Sequence, residues 1–440
     1  MQRRKFVKTT TALGAATAIH PFAIFKNGSP SEKVVLAIMG VKSRGLQLAM
    51  SAVKLKNVEI AYVCDVNETY QEHCISRVSS IQSVKPKGEK DIRKILEKQE
   101  VDAIVIAAPD HWHAPAALMA VKAGKHAYVE KPCSHNPKEG ELLIEAMAKY
   151  NRIIHMGNQR RSWSKVIEAV QALRSGIIGN VYFAKGWYSN NRAPIGFGKV
   201  APVPEKFDYE LWQGPAPRTP YRDNIQPYNW HWFKHWGTGE ALNNGTHEID
   251  VMRWGLGVDY PTRVVATGGR YHYKDDWEFP DTMVANYEFE GGKSFIWEGR
   301  SCNGALERGT GRGNMFYGEN GSMEIIGNGY KVYANDGKDT LLQEVKYAPP
   351  KDTNNTTSPD ADLDGVHIQN FVAGIREGKP TSSPIAEGHK SVLLCQLANI
   401  AWFTGSILDI DQRNGHIVGN KGAMEKYWSR TYEPSWEMVV

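Results

Sequence analysis

Gly40-Val41-Lys42-Ser43-Arg44-Gly45 has the makings of a phosphate-binding turn. A dinucleotide fingerprint has glycines at the first, third and sixth positions, so that backbone amides approach a pyrophosphate. Gly40 and Gly45 fill the first and sixth; Lys42 stands at the third. Its side chain either crowds that approach or adds a cation for the phosphates. Arg44 in the same turn is a further cofactor-binding candidate. Asp65 lies 20 residues beyond Gly45, at the end of the next apolar run. A carboxylate there accepts both ribose hydroxyls of NAD and repels the extra phosphate of NADP, which makes NADP the less suitable partner. The other role open to it is a helix N-cap. Two aromatic stretches stand apart, Trp187-Tyr188 and Tyr228 to Trp236. Flat rings such as Trp230 and Trp232 stack on the apolar faces of sugars, and the interleaved Asn, His and Lys bind hydroxyls. The alternative is core packing, since aromatics bury large areas.

The elements that must position these groups follow from periodicity. Val34–Met39, Val58–Val63, Ala103–Ala107, His126–Val129 and Arg152–Met156 are short apolar runs, separated by helical patterns. This alternation predicts a Rossmann-like, doubly wound parallel sheet over 33–156, with ligands at the carboxyl ends of its strands. Beyond residue 157 the pattern changes. A helix over Ser164–Ser175 precedes a strand, Val181–Ser189, and a loop rich in Pro and aromatics over 190–236. A helix near Asn244–Leu256 leads to strand candidates Thr262–Tyr271, Thr282–Glu290, Ser294–Arg300, Met315–Gly318 and Ser322–Ile326. Turns such as Glu290-Gly291-Gly292 join them. Residues 157–440 thus read as an α+β domain with a large, mostly antiparallel open sheet. A polar loop is expected over 349–362, then helices near Asp364–Glu377 and Ala386–Thr404.

Composition is that of a soluble globular protein, 41% hydrophobic and 23% charged with net charge +5. No basic stripe points to nucleic acid. The five cysteines show no CxxC or Cys/His metal spacing, and their odd number argues against a full disulfide framework. The first 30 residues read as an address. Arg3-Arg4-Lys5-Phe6 and the weakly apolar Ala12–Ile19 resemble a twin-arginine export signal, which implies export in the folded state and a periplasmic location. The apolar run is shorter than the roughly 20 residues of a membrane span. A basic N-terminus on a cytosolic protein is the alternative, and no clean small-x-small cleavage site precedes Ser29.

Two further segments carry a specific match. One is Ala107-Ala108-Pro109-Asp110-His111-Trp112-His113 with Gly124 to Pro132, ending in Glu130-Lys131-Pro132; the other is Gly245-Thr246-His247-Glu248-Ile249-Asp250-Val251-Met252-Arg253-Trp254. They resemble the Gfo/Idh/MocA oxidoreductases, closest to an exported branch. The resemblance implies that Lys131 lies beside nicotinamide and substrate. Lysine is a poor base at its free pKa of ~10.4, and burial beside a nicotinamide cation would lower it. A cis bond at Pro132 would aim Lys131 into the cleft. The family's second motif pairs an Asp with a His four residues on. His247 matches the His, but Asn243 stands in the Asp position and supplies no charge. Asp250, near the same helix face, would substitute in part. By the same match, Pro109 and His113 would line the nicotinamide ribose, Glu130 would contact the cofactor, and Gln159 (or Asn158) and Arg161 would reach substrate. The family also implies pairing of subunits through the antiparallel sheet.

Together these imply an NAD-dependent oxidoreductase acting on a secondary alcohol of a sugar, sugar derivative or glycoside. Lys131 is the acid/base, and His247 with Asn243 assists. The alternatives are a redox-neutral NAD-dependent glycosidase working through a transient 3-keto sugar, and a sugar- or nucleotide-binding protein without catalysis.

Overall fold

Runs of branched apolar residues bounded by turns become strands buried on both faces. In the computed structural model these are β1 (Val34–Met39), β2 (Val58–Cys64), β3 (Lys87–Glu89), β4 (Ala103–Ile106), β5 (His126–Glu130) and β6 (Ile154–Gly157). They form one parallel sheet in the order β3-β2-β1-β4-β5-β6. Leu36, Ile38, Ile104 and Val105 are wholly excluded from solvent. The intervening helices are α1 (Arg44–Ala52), α2 (Glu68–Ser79), α3 (Ile92–Leu96), α4 (Asp110–Lys122) and α5 (Pro137–Tyr150). The structure describes residues 33–347 and 361–440. The export-signal reading of residues 1–30 and most of the loop expected over 349–362 lie outside them.

After α6 (Ser164–Arg174) and β7 (Val181–Ser189), the segment 190–236 contains only short helical pieces, among them α7 (Tyr209–Gln213). Then come α8 (Gly239–Asn243), α9 (Gly245–Leu256), β8 (Arg263–Gly269), β9 (Thr282–Phe289), β10 (Lys293–Arg300), β11 (Arg312–Gly318), β12 (Gly321–Ile325), β13 (Tyr330–Ala334) and β14 (Leu341–Val345). The chain closes with α10 (Ala361–Glu377), α11 (Ile385–Thr404), β15 (Leu408–Ile410), β16 (Ile417–Val418) and α12 (Lys421–Tyr427). The second sheet has ten strands in the order β14-β13-β12-β11-β7-β10-β9-β8-β15-β16, antiparallel except where β7 meets β10. The periodicity argument did not find β3 or β13 to β16. These strands are short or alternate weakly, and pairing with a neighbour is what makes them strands. The C-terminal helices return to the first sheet: Ile368, Phe371 and Val372 of α10 share a core with Leu36, Ile38 and Tyr128.

Helix α9 lies beneath the second sheet with nearly every side chain from Gly245 to Leu256 buried, so its charges need partners. Glu248 pairs with Arg160 and Arg312, each at 3.0 Å. Arg253 pairs with Glu387 and Asp259. Asp250 receives a two-pronged bond from Arg161 at 2.9 and 2.7 Å and a third from Ser391 at 2.6 Å. These pairs tie α9 to the segment after β6 and to α11. All five cysteines are free and buried. Among the described residues, no helix is long and apolar enough to cross a membrane.

Removing one partner of a buried pair strands the other charge. Arg161→Met is therefore expected to lower stability by about 3–5 kcal/mol in denaturant titration while leaving NAD affinity unchanged. Weakened NAD binding at full stability would contradict this placement.

Candidate active site

The turn after β1 is packed too closely for side chains. Gly40 has φ +79°, and a Cβ there would sit 2.6 Å from the Ala108 amide nitrogen; at Gly45 it would sit 1.9 Å from the Gly40 carbonyl oxygen. These contacts hold the turn against the loop after β4, at the carboxyl edge of the sheet. Lys42, at the remaining fingerprint position, lines the cleft with its ammonium 5.8 Å from the centre of the Tyr70 ring.

Asp65 sits at the end of β2. Its Oδ2 accepts from the Val41 amide at 2.7 Å and its Oδ1 from the Asn67 amide at 2.8 Å. Each oxygen keeps a second lone pair for a ribose hydroxyl. The capping role belongs to its neighbour: the Asn67 side chain accepts from the Thr69 and Tyr70 amides at the start of α2. Burial pushes the Asp65 carboxyl up to about 6, against the lowering effect of its two amide donors.

Arg44 does not reach for phosphate. Its guanidinium bonds Glu130 at 2.8 Å and Asp364 of α10 at 2.8 and 3.0 Å. Gln159, with its amide turned to suit its neighbours, donates to the Gly157 carbonyl and accepts from Arg44 at 3.2 Å. Lys131 follows Glu130 across the end of β5, and its bond to Pro132 is cis. Its ammonium donates to the Asn243 carbonyl oxygen at 2.5 Å and to Asn243 Oδ1 at 3.4 Å, leaving its third hydrogen for another acceptor. Burial lowers the Lys131 pKa, opposed by Glu130 and Asp110 and assisted by Arg312 and Arg44. His113 lies below, donating from Nδ1 to the Pro132 carbonyl oxygen at 2.7 Å, with Nε2 buried and unbonded among the described residues.

One cleft of about 550 Å³ collects Gly40, Lys42, Arg44, Asp65, Pro109, His113, Glu130, Lys131, Gln159, Trp230, Asn243 and His247. This size suits a small-molecule ligand. The glycine cradle, the open lone pairs of Asp65 and the unmatched Nε2 of His113 fit a dinucleotide lying along the strand ends.

Three expected substrate residues are elsewhere. Arg161 and Asp250 satisfy each other in the core, so neither reaches the cleft. Trp232 is 2% exposed and stacks on Trp277 at 3.8 Å, with Tyr228 and His231 against it. Asn243 also departs from the expected pairing. Its side chain turns to Lys131, Tyr228 and Glu240, and His247 Nδ1 is buried without a bond. Tyr188 and His231, from the two aromatic stretches, also line the cleft, as do Asn190, Arg192, Asn244 and Arg312, which were not among the expected site residues. Arg192 leans on Glu240 at 2.7 Å and Arg312 on Glu248 at 3.0 Å, so both guanidiniums are anchored from behind.

The segment before α7 covers the cleft beside the end of β2. Phe207 bridges to Asn67, the Glu68 amide donates to the Lys206 carbonyl oxygen at 3.1 Å, and the Asp208 amide to the Val66 carbonyl oxygen at 2.9 Å. Phe207, Leu211 and Trp212 thereby face the cleft beside Asp65.

Residues 34–158 match the family model described as "Oxidoreductase family, NAD-binding Rossmann fold", and residues 213–410 match "Oxidoreductase family, C-terminal alpha/beta domain". The chain belongs to the Gfo/Idh/MocA oxidoreductase family. Among curated relatives, a glycosyl hydrolase family 109 protein from Saccharopolyspora erythraea is 29% identical over 174 residues, 38% of each chain. An alpha-N-acetylgalactosaminidase from Shewanella oneidensis is 23% identical over 210 residues, 43% of this chain and 46% of that one. The chain thus spans less than half the length of these relatives. Similar folds include a levoglucosan dehydrogenase in complex with NADH and levoglucosan (TM-score 0.66, 18% identity). Myo-inositol 2-dehydrogenase from Lactobacillus plantarum is another (TM-score 0.65, 18% identity). Each comparison covers 86% of this chain and 100% of the other.

Because folding raises the Asp65 pKa from 3.8 to about 6, the native state binds the extra proton between those values. Without cofactor, stability should fall as pH rises from 4 to 6, by about 3 kcal/mol from this group, and stay lowered above 6. Asp65→Asn should flatten that slope in pH-dependent denaturation and weaken NAD binding. An unchanged slope would remove Asp65 as its source.

Proposed function

We propose that this protein is an NAD-dependent oxidoreductase that oxidises a secondary alcohol of a sugar, sugar derivative or glycoside. The observation that carries the reading is one cleft in which the glycine turn, Asp65 and the buried ammonium of Lys131 meet beside Trp230. NAD, rather than NADP, follows from the carboxylate at Asp65, which would repel a 2′-phosphate. The dinucleotide, when bound, supplies the hydride acceptor for the alcohol carbon. Lys131 binds the reacting oxygen through the hydrogen that Asn243 leaves free. In its neutral form it takes the hydroxyl proton; in its charged form it returns that proton in the reverse reaction. Asn243 aims the amine from two sides. His247, without a charged partner, binds or positions substrate. Trp230 offers a flat apolar surface to a sugar ring.

A second reading is a redox-neutral NAD-dependent glycosidase working through a transient 3-keto sugar. Two observations favour keeping it. The relatives carry glycosidase names, and the segment covering the cleft beside β2 would hinder cofactor exchange, as a recycled cofactor requires. The complete Glu130-Lys131-Pro132 segment favours the dehydrogenase. A binding protein without turnover is the reading left if neither reaction occurs. The N-terminal segment further suggests twin-arginine export to the periplasm, and the open second sheet suggests a homo-oligomer face.

Protein purified without added cofactor is expected to release NAD or NADH on denaturation, read by mass spectrometry. Net NADH formation from free sugars supports the dehydrogenase; glycoside cleavage without NADH supports the second reading. Lys131→Met should lower kcat by about 1,000-fold while retaining the nucleotide. The wild-type oxidation rate should rise with pH to a plateau set below the ordinary lysine value, since burial lowers the Lys131 pKa. An active Lys131→Met protein removes Lys131 from the reaction.

A further inference from the structure

Three imidazoles line the cleft; His113 and His231 are each held at Nδ1 by a backbone carbonyl oxygen, and His247 is not. His247 lacks a bond at Nδ1, since Asn243 points to Lys131, Tyr228 and Glu240. His231 has its Nδ1 2.7 Å from the Tyr228 carbonyl oxygen. A carbonyl oxygen accepts only, so Nδ1 carries the hydrogen and Nε2 carries the lone pair. The ring is clamped between Trp230, at 3.5 Å and 20° between planes, and Tyr228, at 4.1 Å. No described residue bonds Nε2, which is not shut away from the cleft that His231 lines. The groups facing it are Lys131 from the end of β5, Arg192 beyond β7, His113 from α4, and Tyr228. None is an acid. Burial holds the imidazole pKa well below its ordinary value, against the raising bond to the Tyr228 carbonyl and with the help of Lys131 and Arg192, so the ring stays neutral and Nε2 stays an acceptor.

We propose that His231 determines specificity by accepting, at Nε2, a hydrogen bond from a substrate hydroxyl other than the one held by Lys131. The inference rests on the reading of this cleft as a sugar site. It defines the substrate class further: a polyol ring with a free O–H donor at that position. A deoxy, fluoro or O-methyl sugar at that position would leave a buried lone pair unmatched. Sites built around a substrate hydroxyl reject the analogue lacking it far more strongly than apolar pockets reject a missing methylene.

The test uses the full chain with its nucleotide bound. The probes are D-glucose, D-galactose, N-acetyl-D-galactosamine and their monodeoxy analogues. Binding is followed by tryptophan fluorescence, and NADH formation is measured separately. For the best-bound sugar, one monodeoxy analogue should bind wild type at least about 100-fold more weakly. In His231→Ala that ratio should collapse to within about fivefold, because the group that reads the hydroxyl is gone. His231→Gln, which restores an acceptor, should recover part of it. A purely structural role would weaken all analogues alike and leave the ratios unchanged, which overturns the proposal. If His231→Ala does not fold, His231→Phe keeps the stacked ring without the lone pair and serves the same comparison. Failure of all three sugars to bind also overturns it. Binding with the expected ratios but no NADH strikes the dehydrogenase reading alone and leaves the assignment of His231 standing.

Discussion

The cleft is organised by the guanidinium of Arg44. It begins the first helix after the glycine turn, grips the carboxylate that precedes Lys131, and reaches Asp364 on a helix more than 300 residues away. One cation thus sets the distance between the glycine turn, the strand end bearing Lys131, and the C-terminal helices. Three charges taken out of water together tolerate little change, since loss of the cation would leave two buried carboxylates without it. A turn that reads as a phosphate site therefore uses its arginine to join the two ends of the chain.

The same accounting separates structural from functional charges elsewhere. On α9, Glu248, Asp250 and Arg253 are each matched by a partner from another element, so the helix can lie buried under the sheet. The groups lining the cleft are matched from one side only. Lys131 is held by Asn243 and keeps a hydrogen to give; His113 and His231 are fixed at Nδ1 and keep a lone pair. Partial satisfaction of rigid polar groups is what preorganises a site for a ligand rather than for the core.

Asn243 shows how a departure from a family pattern is absorbed. The neutral amide makes no bond to His247. It holds Lys131 through a backbone and a side-chain oxygen, and its nitrogen meets Tyr228 and Glu240. The aiming of an imidazole passes to His231, through a backbone carbonyl that any residue at 228 would supply.

The parallel sheet, the second α+β domain, the glycine turn and Asp65 were legible in the sequence because each depends on neighbours close in the chain: periodicity, a φ that glycine tolerates, a carboxylate at a strand end. The place of Lys131 and His247 in the cleft was legible through family motifs. The strands β13 to β16 were not, since pairing rather than local preference makes them. The sequence also left undecided which charges are core and which are cleft. Arg161, Asp250 and Trp232 have the residue types of a sugar site and lie in the packing; Arg192 and Arg312 carried no motif and line the cleft. The reason is distance along the chain. Lys131 meets Asn243 across 112 residues, and Arg161 meets Asp250 across 89. Local sequence determined most of the elements; only the packing of one sheet against the other decided which polar groups found partners and which were left facing the cleft.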